Sequence, residues 1–435
     1  MKASPILKFK LSNIFRVCVL GLMMSSLAGC GSAPKRISVG SHSRPCDRCD
    51  DRIQIGLYHA LAEIPQDAGR FYAQIRAAGF SFVHLWEGQD IEAALRGLKQ
   101  TGLRAVIHFP NDDLVRAKRN DPLVLGWYLN EEPSHLLSEE ASLEALRTFN
   151  QRRVQIQDID PGHRIFVIDG PHTSKVDYAW RQWAVTGDIS AHFNYPVTVR
   201  KIHTSTLVQR VGETVSLARE LNQDGKPVWF VVQAFGGHDR GWLMPTPAQY
   251  RAMVYSAVVH GATGIIVFAY DSFVTRDDGI IGVRPDPRTT YLNQIDYNHD
   301  GEPPLVASPD ELEASRHLWD AVVDVNAELK ALSPWVLSPT DATLPLDVAV
   351  RHGRGRDVNY IVKNKNGHRV LILQNTGTTD ITLQVSRPGA ELNLKPFFKR
   401  DDDIKKAVGG DGWQVHLGAY AIAVVNVEMQ MGIGH

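Results

Sequence analysis

From residue 53 onward, short apolar runs alternate with segments of helical spacing. IQIGLYH (Ile53–His59), FSFVHLW (Phe80–Trp86), LRAVIHFP (Leu103–Pro110) and LVLGWYLNEEP (Leu123–Pro133) read as strands. So do HRIFVIDGP (His163–Pro171), DISAHFNYP (Asp188–Pro196), PVWFVVQAFGG (Pro227–Gly237) and GIIVFAYD (Gly264–Asp271). Between them, Gln66–Ala78 has Phe71, Ile75 and Ala78 on one helical face, and Asp90 caps a helix through Lys99. Asp112–Arg119, a long helix from Ser138, a helix around Glu213–Leu221 and Pro247–His260 continue the pattern. Glu139 to Glu144 fall in early turns of the long helix, where acidic side chains suit the helix dipole. Trp180 and Trp183, on the helix after the fifth strand, are expected in the core. Eight strands with helical connections, in roughly 220–280 residues, predict a (β/α)8 TIM barrel. Its last helix, Pro309–Leu332, is delayed by an irregular stretch, Ser272 to Ala307.

The pattern changes after about residue 340. YIVKNKNGHRVLILQN, TDITLQVS, ELNLKPFF and WQVHLGAYAIAVVNVE alternate as short strands with turn residues between them. They predict a C-terminal antiparallel β-sandwich, 340–430, beside a barrel of residues 51–335. The sandwich is expected to cover the barrel.

The first residues carry a different signal. Lys2, Lys8, Lys10 and Arg16 precede an apolar run, Val17 to Ala28, too short to span a bilayer. It ends in Leu27-Ala28-Gly29-Cys30, which resembles the bacterial lipobox. The resemblance implies a signal peptide over residues 1–29, a lipid on Cys30, and, with Gly31 next, an outer-membrane location in the cell envelope. Residues 30–50 read as a tether. Cys46 and Cys49 lie within it, and in an exported chain they predict a short-loop disulfide. Net charge is −1 with signs well mixed, and no basic run marks a nucleic-acid partner.

Barrel enzymes place their chemistry at the C-terminal ends of the strands. Those ends offer Tyr58 and His59, Trp86 and Glu87, His108, then Asn130, Glu131 and Glu132. They continue with Asp169, His192, Asn194 and Tyr195, Gln233, and Asp271. Alternation along the fourth strand sends Leu125, Trp127 and Leu129 to the helix layer, and Gly126, Tyr128, Asn130 and Glu132 to the lumen. Glu131 then points outward.

GWYLNEEP resembles the Asn-Glu-Pro end of the fourth strand in clan A glycoside hydrolases, which are (β/α)8 retaining enzymes. The resemblance implies that Glu132 is the general acid/base. Asn130 matches the asparagine that contacts the sugar, with Glu131 inserted between them. PVWFVVQAFGG resembles the seventh-strand motif, but Gln233 stands where a glutamate nucleophile is expected. Breaking a glycosidic bond takes a proton donor of raised pKa and a second carboxylate, about 5 Å away as nucleophile or about 6.5–9.5 Å away as base. Gln233 cannot be that carboxylate. Another can substitute: Asp271, favoured because alternation groups it with Val267 and Ala269, or Asp169 or Glu87. Alternatively, Gln233 orients a substrate 2-acetamido group that acts as nucleophile, or catalysis is lost and the pocket only binds sugar.

Tyr58, Trp86, Tyr195, Trp242 and Phe273 lie at or past strand ends, where aromatic faces can stack on sugar rings. DYNHDG, Asp296 to Gly301, matches half of a calcium loop, but Ala307 stands where the bidentate acid belongs. His59, His108 and His192 lack the close spacing of a metal site, and no nucleotide-binding loop is present, so neither metal nor cofactor is expected.

Overall fold

The computed structural model describes residues 52–58, 67–86, 89–134, 138–171, 177–198, 205–222, 225–237, 241–275, 278–286, 292–293, 307–399, 403–407 and 412–429. The signal segment, Cys30, Cys46, Cys49, His59, Glu87 and Asp296–Gly301 lie outside them.

Seven parallel strands run in order around the barrel: β1 (Gln54–Leu57), β2 (Phe82–Leu85), β3 (Arg104–His108), β4 (Val124–Glu131), β5 (Arg164–Asp169), β6 (Ile189–Phe193) and β7 (Val228–Gln233). Gly264–Phe268 closes the ring between β7 and β1, with Ile55 opposite Ile265. Around it pack α1 (Ala68–Ala77), α2 (Ile91–Leu98), α3 (Asp112–Lys118), α4 (Glu139–Ile159), α5 (Asp177–Trp183), α6 (Ser205–Leu221), α7 (Pro247–Val259) and α8 (Pro309–Val336). The helices start where short polar side chains satisfy their first N–H groups. Asp90 accepts from Ala93 N at 2.9 Å and Ser138 from Ala141 N at 3.3 Å. Thr246 with Gln249, and Ser308 with Glu311, form reciprocal capping boxes before a proline.

The lower lumen is a packed core. Phe82, Phe166, Trp229 and Ile266 fill it, and glycines on neighbouring strands make the room. A Cβ on Gly56 would stand 2.1 Å from the Phe82 ring, and one on Gly126 would stand 2.4 Å from Phe166. Outside the strands, Trp127, Trp180 and Trp183 are fully buried under the helices, as expected of the latter two. Trp127 Nε1 donates to Asp160 at 2.9 Å and Trp183 Nε1 to Ser142 at 3.1 Å.

The described residues after the closing strand form short strands of their own. Phe273–Thr275 pairs with Asp278–Ile281, which pairs in turn with Gly236–Gly237 just past β7. Leu292–Asn293 adds to the other edge. A small sheet therefore links the segments leaving two neighbouring strand ends.

The C-terminal region forms two four-stranded antiparallel sheets. Leu371, Leu373, Leu383, Val385, Val415 and Val425 lie between them. The outer side of one sheet, through Ile361, Val370, Ile372, Ile422 and Val424, joins the same apolar cluster as the barrel helices. That is why α7 has no polar face: Tyr250 and every residue from Ala252 to Val259 are buried, between the strands on one side and the sandwich on the other. Polar bonds reinforce the joint. Gln374 Nε2 donates to Ala252 O at 2.6 Å, Arg251 Nη1 to Ile422 O at 3.3 Å, and Trp335 Nε1 to His368 O at 3.1 Å. Among the described residues no helix is long and apolar enough to cross a membrane.

Glu328 of α8 is buried and holds Arg251 Nε at 3.0 Å and the Tyr255 hydroxyl at 2.6 Å, both on α7. Removing one partner of a buried ion pair leaves the other charge uncompensated. Glu328→Ala is therefore expected to lower stability by about 3–5 kcal/mol in denaturant unfolding; a loss below about 1 kcal/mol would mean that the pair does not brace the two helices.

Candidate active site

The end of β4 departs from simple alternation. Against β5, Tyr128 pairs with Phe166 but Asn130 with Val167, so Leu129 is an extra residue in the ladder. Trp127 and Leu129 still pack with the helix layer and Tyr128 with the lumen. Beyond the strand, Glu132 donates its N–H to Ile168 O at 3.0 Å and adopts φ +47°. That left-handed conformation costs a non-glycine residue about 1–2 kcal/mol. The neighbouring structure must hold it, and Asp169 does so. The Ser134 N–H donates to Asp169 Oδ2 at 3.1 Å, and the Ser134 hydroxyl donates to Oδ1 at 2.7 Å. Gly170 N–H donates to Oδ1 at 2.9 Å. Asp169 thus grips the turn two residues past Glu132.

Both carboxyls are largely withdrawn from water, Asp169 almost completely. Burial pushes the Glu132 carboxyl from the ordinary 4.5 to about 7. Burial also pushes Asp169 up to about 7 against the hydrogen bonds from Ser134 and Gly170, and the charge of Glu132 adds to the rise. Glu132 is partly exposed, whereas Asp169 is only 1% exposed. Phe166 and Ile168 line the lumen while Ile165 and Val167 face the helices, so Asp169 continues the helix-facing row. It positions Glu132 instead of opening on the pocket.

Gln233 does not orient a substrate, contrary to the sequence expectation. It is fully buried, and its amide stitches two loops together. Oε1 accepts from Val197 N at 2.9 Å, and Nε2 donates to Val197 O at 3.0 Å and Leu243 O at 3.2 Å. Val197 follows β6 and Leu243 follows β7. Only an amide both donates and accepts in this way; a carboxylate would face two carbonyls with no proton to give. The seventh strand therefore carries Gln for the sake of the loops.

Asp271 is also not the expected partner. Ile266 and Phe268 line the lumen, while Val267 belongs to the helix layer. Asp271 is fully buried, and its Oδ1 lies 2.5 Å from Arg284 Nη1. Arg284 also binds Asp286 at 3.1 Å and lies 4.9 Å over the Tyr270 ring. Asp271 neutralises this arginine beside the small sheet.

Aromatic rings form the wall of the upper lumen. Tyr58 stacks on His84 at 4.0 Å, and His108 stacks on Tyr128 at 4.4 Å. Trp86 meets His108 edge-on at 4.7 Å. Phe268 continues the wall from Tyr58 at 5.2 Å to Tyr195 at 5.7 Å, and Phe235 links Tyr195 to Trp242. Trp86, Tyr195 and Trp242 keep part of their surface in solvent. Burial lowers the His108 pKa to about 3, so this ring stays neutral.

Three further expectations are corrected. His192 pairs in register with Asp169 and packs against Trp180 on the helix side, fully buried; its lumen-facing neighbours are Ala191 and Phe193. Asn194 donates to Thr214 Oγ1 of α6 at 3.3 Å, away from the lumen. Asn130, partly buried at the end of β4, pairs in register with Val167 of the helix-facing row, so the extra residue at Leu129 turns it from the lumen, contrary to simple alternation. Sequence reasoning missed His84 and Phe109. His84 was within reach, since it shares its strand face with Phe82 and Trp86. Among the described residues no group of three His, Cys, Asp or Glu is placed to hold a metal ion.

Two outcomes follow from this geometry. Glu132 and Asp169 are raised above their ordinary 4.5 and 3.8, so the stability these two groups contribute is full in acid and falls as pH climbs from those values through about 7. Glu132→Gln removes one of these ionisations. It is expected to raise the melting temperature by a few degrees at pH 8 and by almost nothing at pH 4; an equal shift at both would refute the assignment. Gln233→Glu should cost about 1–3 kcal/mol for each carbonyl left without its donor and should add no activity. A more active Gln233→Glu variant would instead reveal a dormant nucleophile site.

No protein-family model matches this sequence, and no curated protein matches it. Solved structures do. A GH42 beta-galactosidase from G. stearothermophilus aligns with TM-score 0.56 and 9% identity, over 88% of this chain and 99% of that one. A beta-galactosidase from Bacillus circulans sp. alkalophilus aligns with TM-score 0.53 and 9% identity, over 87% and 99%. At such identity the likeness is one of fold: this chain is a TIM barrel with a C-terminal β-sandwich, and it aligns with these two chains over most of its length.

Proposed function

We propose that the protein is a glycoside hydrolase that cleaves an oligosaccharide or polysaccharide by general acid catalysis, with Glu132 as the proton donor. The observation that carries this reading is a partly exposed carboxyl at the end of β4, held by a strained turn and raised to about 7. A general acid works best when its pKa lies near the working pH. Glu132 gives its proton to the leaving glycosidic oxygen as the bond to the anomeric carbon breaks. Water completes the cleavage by adding to that carbon and losing a proton. The aromatic wall with Trp86, Tyr195 and Trp242 supplies apolar faces for sugar rings. Of the three carboxylates weighed for the second role, Asp271 is bound to Arg284 and Asp169 grips Ser134, which makes Glu87, outside the described residues, the one to test.

The lipobox-like Leu27-Ala28-Gly29-Cys30 supports an exported enzyme anchored through Cys30 in the outer membrane. The similar barrels are described as beta-galactosidases, which puts galactosides first among substrates to try.

A second reading has a specific observation in its favour. Gln233 is committed to backbone where a nucleophile would stand, which also suits a sugar-binding shell without catalysis.

The deciding measurement is sugar release from a panel of galactans, glucans, mannans and xylans by the parent, Glu132→Gln and Glu87→Gln. We expect release by the parent alone, falling on the alkaline side as Glu132 loses its proton near pH 7. Binding without release by the parent would favour the second reading, and full activity in Glu132→Gln would remove Glu132 from the mechanism.

A further inference from the structure

Phe109 follows β3 in a conformation that needs explaining. Its φ is +43°, a left-handed value that costs a bulky residue about 1–2 kcal/mol. Pro110 follows directly, and the residue before a proline is pressed toward extended backbone. Two contacts hold the segment there. The Phe109 N–H donates to Tyr128 O at 2.9 Å, and Arg152 Nη2 donates to Pro110 O at 2.8 Å. The result is not burial: Phe109 is 42% exposed, whereas the rings beneath it are hidden. Its ring stacks on His108 at 3.8 Å and 27°, and His108 stacks in turn on Tyr128 at 4.4 Å and 17°. A column of three rings thus runs from solvent into the lumen wall, and Phe109 is its outer face.

Core packing would gain nothing from a strained backbone that leaves a phenyl ring in water. Strain of this kind is typical of ligand clamps, where a fixed side chain is worth more than a relaxed one. The column below is uncharged, because burial keeps His108 neutral. A rigid, apolar, uncharged ring face at the rim of a barrel mouth suits the C–H face of a pyranose ring. Phe109 stands at the exposed end of the column past β3, and Glu132 in a largely buried turn past the neighbouring β4, so the platform lies outward of the proposed acid.

We propose that Phe109 is a stacking platform for a second sugar ring, outward of the one at Glu132, and that the ligand is a glycan chain and not a simple glycoside. This rests on the hydrolase reading for the role of Glu132 but not for the binding itself.

The test uses the full chain carrying Glu132→Gln, so that binding is read without turnover. Its affinity for linear galactans, glucans, mannans and xylans of increasing length is compared with that of the same chain carrying Phe109→Ala or Phe109→Trp. Hydrolysis is followed separately in chains that keep Glu132. Removing the platform is expected to weaken long chains roughly three- to tenfold more than short ones, and Phe109→Trp to restore them. A loss equal at all lengths, or none, would overturn the proposal, as would the absence of binding to every glycan. The two readings fail separately. Hydrolysis by the parent with a KM that ignores Phe109 at every length removes the platform and keeps the enzyme. Length-dependent binding through Phe109 without any hydrolysis removes the enzyme and keeps the platform.

Discussion

The site depends on one carboxylate that never needs to meet a substrate. Asp169 takes hydrogen bonds from both the N–H and the hydroxyl of Ser134, and so fixes a turn in which Glu132 occupies a left-handed backbone well. Without that grip the turn would relax toward an extended form and carry Glu132 elsewhere. The charge of Glu132 in turn adds to the rise of the Asp169 pKa, so the carboxyl that shapes the turn also feels the one the turn presents.

The amide of Gln233 does comparable work for the opposite wall. It bonds both the N–H and the carbonyl of Val197 and reaches Leu243 as well, so the segments leaving β6 and β7 are tied together at these residues. A protein that keeps this clamp gives up a carboxylate at that point. The arrangement accounts for an amide at the end of β7, where the resemblance in PVWFVVQAFGG led to the expectation of a glutamate.

The fold was legible because its signals are local and repeated. Apolar runs bounded by Gly, Pro and Asn marked each barrel strand, and Asp90, Ser138 and the prolines at 247 and 309 marked helix starts through chemistry that acts within one turn. Glu132 was legible for the same reason, from GWYLNEEP. What failed was extrapolation of alternation to strand ends. Asp271 was assigned to the lumen, but its strand presents Ile266 and Phe268 there. His192 and Asn194 share a segment with lumen residues and turn to the helix side. The extra residue at Leu129 belongs to the pairing of two strands distant in sequence, and no single run of residues encodes it. Phe109 escaped notice because its backbone angle is imposed by Tyr128 and Arg152, which the local sequence does not reveal.

The joint between barrel and sandwich has a consequence for the mouth. The chain passes from Trp242 through Leu243, held by the Gln233 clamp, and Met244 into the cap at Thr246 and then α7. Arg251 and Ala252 of that helix are bound by the sandwich at Ile422 and Gln374. The loop that bears Trp242 is thus anchored at one end to a strand and at the other to a helix that a second module buttresses from behind. The sandwich can set the stiffness of the mouth without contributing a side chain to it, much as an outer wall carries the thrust of an arch it does not touch.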